Sequence, residues 1–194
     1  MPVFLEGGVD EVGRGSCISG VWAAAVILDP ERPIEGLRDS KKLTPKRREA
    51  LSEEIKANAL CWNIGKTSLE EVERLNVHFA TLLAMKRAVE GLTVIPHKIY
   101  VDGIHTPDIV IPVEAVIKGD DLIPSISAAS ILAKVERDRV MVRYHQEYPQ
   151  YGFDKNKGYL TKEHMTALQE HGPCPIHRKT YEPISNLLSQ QQSG

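Results

Sequence analysis

Cysteine is scarce in this chain of 194 residues: Cys17, Cys61 and Cys174 are three, an odd number, and scattered. That argues against a disulfide framework and fits a reducing compartment, so a cytoplasmic protein is expected. Long apolar runs are missing too. The longest, Val21 to Leu28, is far too short to span a bilayer. The first residues, Met1 to Gly8, lack a basic stretch followed by an apolar one, so no signal peptide and no membrane role are expected. Neither sign of charge dominates: the formal net charge is −2, which does not advertise nucleic-acid binding. There is no internal repeat, no Gly/Ser linker and no Walker-type phosphate loop.

What is present describes a soluble globular protein, with 42% hydrophobic and 26% charged residues. One domain over residues 1–188 is expected, with a frayed Gln-rich tail at 189–194. Basic residues cluster at Lys41, Lys42, Lys46, Arg47 and Arg48, at Lys155 and Lys157, and at Arg178 and Lys179. Each cluster alone reads as a solvated face. The spacing of His171, Cys174 and His177 suits zinc in principle, but it lacks a nearby fourth ligand and sits among prolines.

Hydrophobic patterning predicts strands at Val3–Val9, Val21–Leu28, Cys61–Gly65, Lys98–Val101 and Val113–Ile117. Thr44 and Pro45 form an N-cap and N1 pair for a helix to about Ala57. Ser68 and Glu71 form a capping box for a helical region that continues through Val77 to Val89 and ends at Gly91. Further helices are expected from Pro124 to about Glu147, from Thr161 to Gly172, and after Pro183. Strands followed by alternating strands and helices indicate an α/β sheet flanked by helices.

Three of these strands run into carboxylates: Asp10-Glu11, Asp102 and Asp120. Acids brought together repel and bind protons unless a cation neutralises them. A donor set of oxygens alone suits Mg²⁺ or Mn²⁺ rather than zinc. Four such acids, with a bridging phosphate, can hold two ions. One difficulty stands out. Adjacent Asp10 and Glu11 point to opposite faces of a regular strand, so a shared site requires the strand to end or kink there. Gly13 and Gly15 permit close backbone approach, and Arg14 offers a planar fork for phosphate or sugar oxygens. Acid for metal and arginine for phosphate together point to phosphodiester chemistry.

The segment GVDEVGRG at Gly8–Gly15 closely resembles the signature of bacterial ribonuclease HII, the type 2 ribonuclease H family. The resemblance continues in order through DSKKL at Asp39–Leu43, VDG at Val101–Gly103 and KGD at Lys118–Asp120. It extends through Ser125–Asp138, YGFDKNKGY at Tyr151–Tyr159 and His177-Arg178, nearly the whole chain. It implies a ribonuclease H-like mixed central sheet flanked by helices, with a C-terminal helical segment. It also implies cleavage of the RNA strand of RNA/DNA hybrids and incision 5′ of single ribonucleotides in duplex DNA, leaving 3′-hydroxyl and 5′-phosphate ends.

By the same resemblance, Asp10, Glu11, Asp102 and Asp120 are the catalytic, metal-binding acids, with Asp10 bridging two ions of Mn²⁺ or Mg²⁺. Gly13, Arg14 and Gly15 match the segment that reads the ribose 2′-hydroxyl, and Tyr159 matches a tyrosine that stacks on the neighbouring deoxyribose. Ser40 and Lys41 match positions near backbone phosphates. Related type HIII enzymes usually carry an N-terminal extension and lack the arginine of GRG; here Asp10 lies near the start and Arg14 is present, favouring type HII. Ser16-Cys17 and Gly20-Val21 depart from the Pro-Leu and Gly-Pro usual in the family.

A non-catalytic binding module would gain nothing from concentrated negative charge facing phosphates, and a nucleotide phosphotransferase should carry a phosphate loop. A monomer is expected, and recruitment by a DNA sliding clamp is left open.

Overall fold

The computed structural model describes residues 3–37 and 40–194, with the side chain of Ser40 left aside. Five strands form one sheet: β1 (Glu6–Val12), β2 (Trp22–Ile27), β3 (Cys61–Lys66), β4 (Lys98–Asp102) and β5 (Val113–Val116). Their order is β3-β2-β1-β4-β5. The first three pair antiparallel, while β4 and β5 run parallel to β1. The expected mixed sheet is therefore present.

Every residue of β2 is buried, because helices cover both faces of the sheet. On one face, Val9, Ala23, Ala25, Ile99 and Val101 pack against Ala80, Ala84 and Ala88 of helix α2 (Leu69–Glu90). On the other, Ala24 and Val26 meet Leu51 and Ile55 of α1 (Pro45–Asn58) and Ile131, Leu132 and Val135 of α4 (Pro124–Glu147). Alanines at the centre of β2 let the helices come close. Gly8 carries this furthest: a Cβ there would lie 2.2 Å from the Ser125 carbonyl carbon. No side chain fits between β1 and the start of α4, so the helix is pinned directly beneath the strand that bears Asp10.

The expected caps are in place. The Thr44 hydroxyl accepts the Arg47 N–H, and Ser68 and Glu71 complete a reciprocal capping box. Asn76 (φ 68°, ψ 167°) interrupts α2, and its Oδ1 accepts the His78 and Phe79 N–H groups, recapping the second half.

A third cluster joins Cys17 and Ile18 to Tyr151, Phe153, Leu168 and Ile184. It is built by α5 (Phe153–Asn156), α6 (Lys162–His171) and α7 (Ile184–Gln192). The last helix runs through part of the stretch expected to fray; Ser189 Oγ donates to the Ser185 carbonyl. Short elements escaped the sequence reading, among them a 3₁₀ turn at Ser40–Lys42, α3 (Gly119–Leu122) and α5. They are too brief to show a period. Among the described residues no helix is long and apolar enough to cross a membrane.

Candidate active site

The first strand does not end at the acids. It stays paired with β2 through Val12, with Asp10 opposite Ala24 and Glu11 opposite Ala23, where an end or a kink was expected. Alternation holds: Ser130 of α4 reaches the Asp10 carboxylate, while Glu11 lines a cavity with Thr81 and Met85 of α2. What brings the two together is the neighbouring strand. Pairing between β1 and β4 stops at Val9 and Val101, so Asp102 ends β4 beside the open edge of β1. Past that point the Glu11 N–H donates to Asp10 Oδ1 at 2.8 Å.

Asp120 arrives differently from expectation. It sits in the short helix α3, entered through Lys118 at φ 56°, rather than at a strand end. Its N–H donates to Asp102 Oδ1 at 3.2 Å, and its carbonyl accepts the Ser127 hydroxyl of α4. Lys41 Nζ lies 2.9 Å from Asp120 Oδ2, whereas Asp120 Oδ1 is buried with no hydrogen-bond partner.

These carboxylates crowd one another. Burial, then the charges of Glu11 and Asp102, push the Asp10 carboxyl well above the ordinary range. Burial raises Glu11 against the pull of its hydrogen bond to Asp10 and of Arg14. Burial also raises Asp102, with Asp120 adding to it and the Asp120 N–H opposing. A cluster of oxygens that resists ionisation, with one orphaned oxygen, fits a hard divalent cation.

Glu11, Arg14 and Asp102 line a cavity of about 220 Å³ together with His78 and His105, whose rings stand edge-on at 4.6 Å. Neither histidine was singled out from sequence; each stands alone there, with no motif around it. A larger cavity of about 590 Å³, lined by His145, Tyr151 and Asn156, touches none of the four acids.

Gly13 takes φ 92°, and a Cβ there would meet Arg137 Nε at 2.5 Å, so both backbone and space demand glycine. Arg14 and Gly15 are exposed. A Cβ on Gly15 would lie 3.5 Å from the Tyr159 ring, which places the loop against that tyrosine, itself 37% exposed. The structure thus gathers the four acids, Lys41, Gly13, Arg14, Gly15 and Tyr159 into two adjoining groups. Ser40 opens the turn that carries Lys41; Asp39 of the DSKKL motif lies outside the described residues.

Arg178 corrects the reading of its cluster as a solvated face: it is fully buried. The doubt about zinc at His171, Cys174 and His177 stands, since His171 lies beside Glu170; among the described residues the metal-capable group is Cys17, His164 and His177, all buried, with ligand atoms within 4.8 Å of one another. Local spacing gives no sign of this group, because Cys17 lies in the loop after β1 and His164 in α6, before the turn that carries His177. In this group His177 Nδ1 accepts the Cys174 N–H at 2.9 Å, so the ring proton sits on Nε2, which faces His164 Nε2 at 3.0 Å. A metal would have to displace that proton.

The family profile described as "Ribonuclease HII" matches residues 7–183. A ribonuclease HII of Desulforamulus reducens is 68% identical over 186 residues, covering 96% of this chain and 94% of that protein. The crystal structure of the ribonuclease H2 from Pyrococcus horikoshii superimposes with a TM-score of 0.83 at 26% identity, covering 98% of this chain and 100% of that one. The RNase HII of Archaeoglobus fulgidus, solved in complex with PCNA, gives 0.71 at 27% identity, covering 92% of this chain and 95% of that one. A mixed sheet with acids gathered at the end of its two central parallel strands, and a match along nearly its full length, make this chain a nuclease of the ribonuclease HII family.

Proposed function

We propose that the enzyme cleaves the RNA strand of RNA/DNA hybrids and incises duplex DNA 5′ of an embedded ribonucleotide, leaving 3′-hydroxyl and 5′-phosphate ends. Asp10, Glu11, Asp102 and Asp120 are assigned to hold two divalent ions, Mg²⁺ or Mn²⁺. The observation that carries this assignment is the buried, unpartnered Asp120 Oδ1, on the residue whose N–H bonds Asp102, together with Asp10, Glu11 and Asp102, whose ionisation burial opposes. Lys41, with its side chain 72% exposed, is a weak and replaceable counter-charge. When bound, such ions supply an activated water and stabilise the leaving oxygen.

The protein's own groups do the rest. Burial opposes the ionisation of Asp10 and Asp102, and a divalent cation held between them would favour their ionised forms. Arg14 directs an exposed guanidinium toward phosphate while its carbonyl is held from behind by Arg178 and Tyr181. The backbone of Gly13–Gly15 approaches the 2′-hydroxyl, the one group that marks a ribonucleotide. Tyr159, packed against Gly15, supplies a face for the adjoining sugar. Lys41 and Ser40 are assigned to backbone phosphates, which position the duplex without reading its sequence.

Three free cysteines support a cytoplasmic setting. A sliding clamp is a further candidate partner, on the ground of the Archaeoglobus relative solved with PCNA. The deciding experiment offers end-labelled duplexes with one ribonucleotide, with an RNA/DNA hybrid, and with DNA alone, each with Mg²⁺, Mn²⁺ or chelator. The expected result is a metal-dependent cut 5′ of the ribonucleotide and in the hybrid, with the all-DNA duplex intact. Cleavage that persists in chelator, or that ignores the ribonucleotide, overturns the reading.

A further inference from the structure

Arg178 is fully buried, and no acid pairs with it among the described residues. Its guanidinium instead donates to four backbone carbonyls: Nε to Ser19 at 2.8 Å, Nη1 to Arg14 at 2.9 Å, and Nη2 to Gly13 at 2.7 Å and Gly20 at 3.0 Å. All four belong to the loop that leaves β1. A planar fork of five N–H groups can satisfy carbonyls converging from several directions; a lysine ammonium has three donors at a single point. The Arg178 N–H also donates to the Cys17 carbonyl at 2.8 Å. The Tyr181 hydroxyl reaches the Arg14 carbonyl at 2.8 Å, and its ring lies 5.3 Å from the Arg178 guanidinium carbon.

The residue before it reaches the other half of the substrate-facing surface. The Cys174 N–H occupies His177 Nδ1, so His177 Nε2 carries the proton and donates to His164 Nε2 at 3.0 Å. His164 must then carry its own proton on Nδ1, which lies 3.0 Å from the Tyr159 carbonyl. One backbone N–H thus sets both tautomers and the direction of the whole chain of bonds. Burial, and for His177 its neighbour His164, hold both rings neutral by lowering their proton affinity. Arg137 completes the underside: it donates to the Lys157 carbonyl at 2.7 Å and lies 5.6 Å from the Tyr159 ring centre.

We propose that the buried dipeptide His177-Arg178 is a positioning element that fixes the Gly13–Gly15 loop against Tyr159, and thereby sets discrimination for a single embedded ribonucleotide. Arg178 holds the loop, and His177, through His164, holds the tyrosine. Because the two residues are adjacent on one chain segment, neither half can shift without dragging the other. A single ribonucleotide depends on that spacing at one step of the duplex. A continuous hybrid offers a 2′-hydroxyl at every step of one strand and tolerates a looser register. This inference rests on the assignment of Gly13–Gly15 and Tyr159 as the ribonucleotide-reading groups.

The test compares Arg178→Lys, His177→Phe and Tyr181→Phe with wild type and with Tyr159→Ala. Thermal melting is followed, and kcat and KM are measured on the single-ribonucleotide duplex and the RNA/DNA hybrid below every melting temperature. Arg178→Lys and His177→Phe are expected to lower kcat/KM on the single-ribonucleotide duplex about tenfold more than on the hybrid. Tyr181→Phe removes one hydroxyl near the surface and is expected to fold; it should shift the same ratio in the same direction by a smaller factor. An equal loss on both substrates in all three variants, tracking melting temperature, overturns the proposal and leaves a purely structural role. Should the two buried variants fail to fold, an unchanged ratio in Tyr181→Phe overturns it. If Tyr159→Ala itself leaves the ratio unchanged, the ribonucleotide-reading assignment fails; if only the three arm variants do, this inference alone fails.

Discussion

The N–H of Asp120 donates to Asp102 Oδ1 at 3.2 Å, joining the first turn of a short helix to the end of a parallel strand. This bond aligns two carboxylates that lie far apart in sequence from Asp10 and Glu11.

Asp102→Asn keeps the side-chain oxygen that accepts this bond and removes the charge. We expect the fold to survive, with melting close to wild type, and turnover at saturating Mg²⁺ to fall by roughly a hundredfold or more. Turnover near wild type would remove Asp102 from the metal-binding set.

The acids should make stability depend on pH and metal together. Burial holds the Asp10 and Asp102 carboxyls above the ordinary aspartate value of 3.8 in the folded protein. The metal-free fold therefore binds protons more tightly than the unfolded chain. Their contribution is full below that value and is lost as pH climbs through the raised folded values. A divalent cation held by these acids would offset that loss. Thermal melting with Mg²⁺ or chelator is expected to show a larger metal-dependent rise at pH 8 than at pH 5. An equal rise at both would count against the coupling.

His177 works with the opposite sign. Its ring is lowered from 6.5 to about 4, first by burial and then by His164. The unfolded chain takes up that proton more readily, so the contribution is present above 6.5 and is lost as pH falls toward 4. The loss is on the order of 3 kcal/mol across that window. Denaturant unfolding should show a steeper decline between these pH values in wild type than in His177→Phe, where nothing titrates at that position. Parallel curves would remove His177 as the cause.

Tyr159 is half open to solvent and packs against Gly15 and Arg137. Its truncation to alanine should cost little stability. We expect incision at a single ribonucleotide to fall more than cleavage of a long hybrid, by about tenfold in the ratio of kcat/KM. Equal losses on the two substrates would sink a junction-specific role.

Local chemistry made much of this molecule readable from its residues. The buried run at Val21–Leu28, the Thr44 and Ser68 caps and the spacing along Pro124–Glu147 each depend on neighbours within a turn or two. The structure reproduces them. The ordered motifs pointed to the family in the same way, because every one of them is a contiguous string.

Tertiary structure alone decided how Asp10 and Glu11 come to share a site. A strand need not end for adjacent acids to meet; it is enough that its neighbour β4 stops pairing first, which is a property of two segments and not of either. It also decided that Arg178 is a buried clamp and not surface charge, since its four acceptors lie more than 150 residues earlier in the chain. The same holds for His164 and His177, whose protonation follows from one backbone N–H at Cys174. Sequence determined which residue types were available for the chemistry. The fold determined which of them are desolvated together, and desolvation is what turns scattered acids, histidines and an arginine into a working site.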